Sequence, residues 1–121
     1  MSYREMHQQF KETFEYYKVP EEMQEAFWNY LAYGIDPGSF GMAILRNDFF
    51  DAVVRAHRTL SSDHLRSISK WFLNVAPSIA FGSEEKIKEW KALSDEERRD
   101  IMIELRLRPS EFDILRGIAV A

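Results

Sequence analysis

The sequence predicts an all-α protein, a compact single-domain bundle of six to eight short helices. Apolar residues recur at steps of three and four in one segment after another, as helices require. No stretch shows sustained apolar–polar alternation with turn residues on both sides, the pattern of a half-buried strand. A chain of 121 residues suits one hydrophobic core, so residues 1–121 are expected to form one domain.

The first two helices are delimited by an apolar stripe, a proline and a glycine. The stripe from Met6 through Phe10 and Phe14 predicts a helix over residues 3–18. Pro20 suits the first position of the next helix, where its missing N–H costs no hydrogen bond. Gly34 is placed to end that helix in the left-handed conformation, with a positive φ.

Two shorter helices follow. Asp36-Pro37 repeats the start signal and opens a helix that runs through Leu45. Asn47-Asp48 then caps or bends the chain into a run from Phe49 to His57. The apolar stripe of this fourth helix is expected to face the core, and it consists of Phe50, Val53 and Val54.

The second half of the chain repeats this alternation of loops and helices. A polar loop over 59–63 precedes a helix that extends towards Pro77, and Ser83 opens the next. Ser94 and Glu97 have the spacing of a capping box, which predicts a helix to about Arg106. A C-terminal helical extension is expected over about residues 94–121, with a break at Pro109. The expected core comprises Phe10, Phe14, Phe27, Phe40, Leu45, Phe50, Val53, Ile68, Trp71, Phe72 and Ile87.

Composition excludes several classes of protein. The hydrophobic fraction of 45% and charged fraction of 30% are typical of a globular chain. Cysteine is absent, which rules out disulfides and thiolate zinc sites. No apolar run approaches the roughly 20 residues that cross a bilayer, and the polar N-terminus does not resemble a signal peptide. We therefore expect a cytoplasmic protein without a membrane partner.

Catalytic and cofactor motifs are missing as well. The three histidines lack metal-ligand spacing, and there is neither a nucleophile elbow nor a phosphate-binding loop. These observations predict a protein without a catalytic residue, metal or cofactor.

The distribution of charge along the chain favours a small anionic ligand over a nucleic acid. The net charge of −4 disfavours nucleic acid, whose binding needs a broad positive surface. Segment 46–70 is locally basic, and Arg55 and Arg58 share a helix face there that could clamp a phosphate. Two Gly-Ser corners at helix starts offer free backbone N–H groups, although ordinary N-caps explain them better. The candidate ligand-binding residues are Gly38, Ser39, Arg55, Arg58, His64, Gly82 and Ser83.

Two aromatic residues could also take part in binding a nucleotide. Trp71 or Phe81 could stack on a base, although their helical spacing suits core residues better.

Four linked motifs lie between residues 27 and 91. They are Gly34-Ile35-x-Pro37-Gly38-x-Phe40, Ala43-x-Leu45-x-Asn47-Asp48, Asn74-x-x-Pro77 and Gly82-Ser83-x-Glu85-x-Ile87-x-x-Trp90. Together they resemble a family of small accessory proteins encoded by tailed bacteriophages and prophages, although Phe81 stands where that family suggests Trp. The resemblance implies a phage origin and a fold, and it supplies no mechanism.

Three functional hypotheses follow from these features. The first is a non-enzymatic, homo-oligomeric counter-defence protein of the host bacterial cytoplasm that captures a small anionic ligand such as a nucleotide. The second is an inhibitor that binds a host defence protein directly, for example a CRISPR effector. The third is a DNA-binding regulator that uses the helix–turn–helix pattern expected over residues 97–116, which its acidic second helix disfavours.

Overall fold

The computed structural model describes residues 2–56 and 60–106 and confirms the all-α prediction. Seven α-helices and one short 3-10 helix make up the described part of the chain. The helices are α1 (Tyr3–Tyr16), α2 (Glu21–Tyr33), α3 (Gly38–Leu45), α4 (Phe49–Arg55), α5 (Ser62–Asn74), α6 (Glu84–Ala92) and α7 (Asp95–Arg106), and the 3-10 helix spans Ser78–Ala80. Residues 107–121 of the expected C-terminal extension, including the expected break at Pro109, lie outside the described residues.

Trp71 occupies the centre of the core. Its side chain is fully buried on α5, and its ring stacks on Phe14 at 4.4 Å and packs edge-on against Phe72 at 4.9 Å between ring centroids. Its indole N–H donates to Thr13 Oγ1 at 2.9 Å, and the Thr13 hydroxyl donates in turn to the Phe10 carbonyl at 2.7 Å. The polar groups of Trp71 and Thr13 are thus each paired inside the core, as buried polar groups require.

Helix termini follow the local sequence closely. Gly34 has φ +68° and ends α2, as predicted, and its N–H donates to the Tyr30 carbonyl at 2.9 Å. The Ser94–Glu97 capping box is also present: Glu97 Oε1 accepts from the Ser94 N–H at 3.0 Å, and Ser94 Oγ accepts from the Glu97 N–H at 3.1 Å. Short polar side chains thus cap several helix starts, and Gly34 ends α2. Helices α2 and α3 instead begin just after Pro20 and Pro37, one position later than predicted, and these N-cap prolines supply no side-chain hydrogen bond.

Arg98 joins three helices from inside the protein. This α7 side chain is only 4% exposed, and its guanidinium donates to the carbonyls of Ala32 at 3.3 Å, Trp90 at 3.0 Å and Leu93 at 2.5 Å. The Ala32 and Trp90 carbonyls lie in the last turns of α2 and α6, where the usual partner four residues later is missing, and Leu93 follows α6 directly. The Trp90 carbonyl also accepts from the Leu93 N–H at 3.3 Å. A cation at two negative helix ends is favourable, and Asp95 supplies its counter-charge.

Candidate functional site

Helix α4 is held against α3 by a tight turn. Asn47 takes the left-handed conformation with φ +63°, and the Asp48 N–H donates to the Ala43 carbonyl at 2.9 Å. This is the hydrogen-bond pattern of a Schellman cap, with asparagine in the place of the usual glycine. Asp48 then begins α4 as its N-cap, because its Oδ1 accepts from the Asp51 N–H at 3.0 Å. The turn therefore fixes the position of a helix only seven residues long.

The apolar side of α4 faces solvent. Only Ala52 of this helix is fully buried, whereas Phe50 is 84% exposed and Val54 is 81% exposed. Phe49 at 66% and Val53 at 46% complete the surface. The α4 face is defined as Phe49, Phe50, Val53 and Val54.

The expectation that Phe50 and Val53 lie in the core was therefore wrong. Their spacing does mark a helix with one apolar side. The small Ala52 is what packs inward, however, so the stripe that contains Phe50 and Val53 projects away from the core. The other expected core residues are buried, as predicted.

The charges beside the α4 face are paired with one another. Arg46 Nη2 lies 2.6 Å from Asp51 Oδ2, and Arg55 Nε lies 2.8 Å from Asp51 Oδ1. Hydrogen bonds from Arg55 and Arg46 lower the pKa of the Asp51 carboxyl below its usual value. Arg55, a candidate phosphate ligand, is thus already bound to a carboxylate of its own helix. Arg58, its expected partner in the phosphate clamp, lies outside the described residues.

A small cleft opens beside the α4 face. It has a volume of about 70 Å³ and lies where α3, α4 and α5 meet. Apolar side chains contribute much of the wall, with polar groups at its edge. The lining residues are Ala43, Ile44, Asn47, Asp48, Phe49, Ala52 and Ser69.

The two Gly-Ser corners lie at opposite ends of α3. Gly38 and Ser39 start that helix and are exposed, whereas the Gly82 N–H donates to the carbonyl of Leu45, its last residue, at 2.7 Å. Eight residues of helix separate the ends of α3 by roughly 10 Å. Ser83 is an N-cap, since its Oγ accepts from the Lys86 N–H at 3.2 Å. Each corner serves as a helix start, and the two do not share a pocket.

His64 and Trp71 were expected to face a ligand, but both side chains make contacts within the protein. His64 Nδ1 accepts from the Ser61 N–H at 3.0 Å, while Ser61 Oγ accepts from the His64 N–H at 3.3 Å. Histidine thus takes the place of the usual glutamate or glutamine in a capping box that begins α5. Trp71 is fully buried, so the idea that it stacks on a base was wrong.

A wider cleft lies between α3 and α6. It encloses about 230 Å³ over an apolar base of Met42 and Ile87. Glu84, Lys88 and Lys91 surround it, and Lys91 Nζ lies 3.8 Å from an Asp36 carboxylate oxygen. Mixed charges at its edge give this cleft little preference for an anion.

The described residues contain neither a metal-binding cluster nor a membrane-spanning helix. Among them, no group of three or more His, Asp or Glu side chains is arranged to hold a metal ion. None of the described helices has the length and apolar character needed to cross a bilayer.

Comparison with known proteins adds no relative: no family model, curated protein or solved structure matches this chain.

Proposed function

We propose that this protein is a non-enzymatic protein-binding module and that the α4 face is its contact surface. The observation that carries the proposal is the exposure of two adjacent phenylalanines and two valines on one short helix. The largest contiguous apolar patch on a typical monomer covers about 300–600 Å² and is often a functional surface. Aromatic side chains are also enriched at the centres of protein interfaces.

The energetic argument rests on the size of these side chains. Burying an exposed Phe or Val side chain contributes roughly 1.5–3 kcal/mol. Phe50 and Val54 are more than 80% exposed, so nearly all of that contribution is available to a partner. The Asp48 cap and buried Ala52 already hold the helix in place, which lowers the entropy that binding must overcome.

The spacing on α4 suggests how a partner would bind. Phe50, Val53 and Val54 are related as i, i+3 and i+4, the pattern with which an amphipathic helix fills an apolar groove. The partner would therefore present a groove lined by apolar side chains. The resemblance to phage accessory proteins makes a host defence protein the natural candidate, and the protein would act by occluding it.

Capture of a small anion is a less supported proposal. Arg55 and Arg46 both contact Asp51, so a phosphate would have to displace that carboxylate. Calorimetry against cyclic and ADP-ribose-type nucleotides tests it, with Arg55→Ala as the variant. A heat of nucleotide binding that Arg55→Ala abolishes would establish capture. The same heat of binding in that variant and the wild type would place the pocket elsewhere.

Site-specific cross-linking tests the protein-binding proposal. A photoreactive phenylalanine analogue is placed at Phe50 and, as a control, at Ile35, which is 52% exposed on the α2–α3 connection. Irradiation in host cells should give a discrete adduct with a host protein, separate by mass from any adduct between two copies of this chain, from position 50 and not from position 35. Reconstitution with the purified adduct partner then measures the affinity. Adducts of equal yield from both positions, or none from either, would contradict the proposal.

A further inference from the structure

We propose that the α4 face also pairs two copies of this chain about a two-fold axis, so that the protein covers its own target-binding surface as its concentration rises. The masking role rests on the proposed function, whereas the pairing can be measured without any target. A two-fold contact places the same patch of each copy against the other, so the patch must be complementary to itself.

The area of the α4 face suits a weak dimer. Two phenylalanines exposed at 66% and 84% offer roughly 300 Å² of apolar surface. The two valines add roughly 100 Å² more. Two copies would bury roughly 800 Å² of apolar area, and the polar rim would bring the contact near the lower limit for specific complexes. Such an area suits an association that a target with a deeper groove would outcompete.

The charges beside the face permit this pairing. The chain carries a net charge of −4, so two copies repel one another overall. Among the described groups next to α4, however, Asp51 is paired with both Arg46 and Arg55, and Asp48 and Glu84 lie 4.0 Å and 3.9 Å from Arg46. A patch with a large excess of one sign would meet its own image and be repelled. These ion pairs leave three carboxylates against two arginines, so the local repulsion is small.

The shape of the surface provides a protrusion and a recess on each copy. Phe50 projects with 84% of its side chain exposed, and the cleft of about 70 Å³ adjoins Phe49 on the same helix. Under two-fold symmetry the Phe50 ring of each copy can enter the cleft of the other. Aromatic anchors seated in such recesses carry most of the energy of an interface.

Sedimentation velocity on the full chain tests the inference. Over roughly 5–500 µM, a range that brackets the affinity of a small interface, the wild type should shift from the mass of one chain to that of two. Phe50→Asp should weaken this association at least tenfold, because it places two carboxylates at the contact. Ile35→Asp, with the same change in charge at an exposed site outside α4, should leave it unchanged. A wild type that is monomeric throughout, or a dimer that Phe50→Asp does not affect, would overturn the inference.

A second variant guards against misfolding. Val54→Lys places a cation in the last turn of α4, where the helix dipole favours it, and should weaken the dimer in the same way while retaining the helical circular dichroism.

Pairing of two copies and binding of a target can be overturned independently. A monomeric wild type that still binds its target through α4 overturns only the pairing. A dimer whose dissociated α4 variants bind the target with undiminished affinity supports the pairing and overturns the proposed contact surface.

Discussion

Gly34 lies directly against the guanidinium of Arg98: a Cβ at Gly34 would meet Arg98 Nη1 at 3.0 Å and Cζ at 3.2 Å. The left-handed end of α2 therefore packs directly against the buried arginine of α7. We call this contact between Gly34 and Arg98 the joint. Gly34 supplies the turn and the space, and Arg98 binds the carbonyls of Ala32 and Trp90 in the last turns of α2 and α6. This joint holds the last described helix against the core.

Gly34→Ala should destabilise the protein by about 2–3 kcal/mol. A left-handed residue with a Cβ costs about 1–2 kcal/mol, and displacing Arg98 adds to that. Gly38→Ala is the control, because Gly38 also has a positive φ, +91°, but nothing lies within 4 Å of its Cβ position. Urea denaturation of both variants provides the measurement. Equal stability of Gly34→Ala and wild type would show that the joint adopts another conformation.

Arg98→Met should cost about 3–5 kcal/mol, because it leaves buried carbonyl groups without a donor. Arg99→Met is the matched control on the same helix. Arg99 lies 5.3 Å from the centre of the Tyr3 ring, and loss of that contact should cost about 1 kcal/mol or less. Thermal unfolding followed by circular dichroism distinguishes the two. Similar losses of stability in both variants would mean that Arg98 does not hold α2, α6 and α7 together as described above.

Thr13→Val should destabilise the core by about 1–3 kcal/mol although it keeps the side-chain shape, because the Trp71 indole N–H loses its acceptor. The same change in a protein that already carries Trp71→Phe should cost less, since that ring has no donor to satisfy. A double-mutant cycle in urea yields the coupling. Additive losses would contradict the hydrogen bond between these side chains.

Acid should weaken the fold partly through Glu97. Hydrogen bonds from the Ser94 backbone and hydroxyl lower the pKa of the Glu97 carboxyl. A carboxyl whose folded pKa is depressed stabilises the fold above its unfolded value of about 4.3, and that contribution disappears as pH falls through the folded pKa. Glu97→Gln can still accept the Ser94 hydrogen bond but does not titrate. Its stability should fall less steeply than the wild type's between about pH 5 and pH 3, in denaturation curves recorded across that range.

Much of the fold was predictable because local chemistry sets the helix ends. Gly34, Asp48 and the Ser94–Glu97 box act where the sequence places them, and Trp71 is buried as its spacing indicated. Arg98 was not predictable, since nothing near it in the sequence shows that the ends of two helices converge on its side chain. Its contact with the Ala32 carbonyl of α2 depends on the tertiary fold.

The candidate site was the least predictable part. The stripe on α4 was recognised, but periodicity shows that a helix has an apolar side and not which way that side faces. A helix of seven residues anchored by Ala52 leaves larger side chains outside. Arg55 was singled out for its charge, and its partner Asp51 lies four residues earlier on the same helix, a spacing that favours pairing.

The affinity of the α4 face for its partner is the most direct test of the proposed function. The measurement is the dissociation constant, by calorimetry, of the complex with the protein that cross-links to position 50. Phe50→Asp should raise that constant about 30- to 1,000-fold, the effect of losing an aromatic anchor worth about 2–4 kcal/mol. Asp also suits the first turn of α4, so the helix itself should persist. Ile35→Asp should bind as the wild type does. Equal dissociation constants for Phe50→Asp and the wild type would contradict the assignment of α4 as the contact surface.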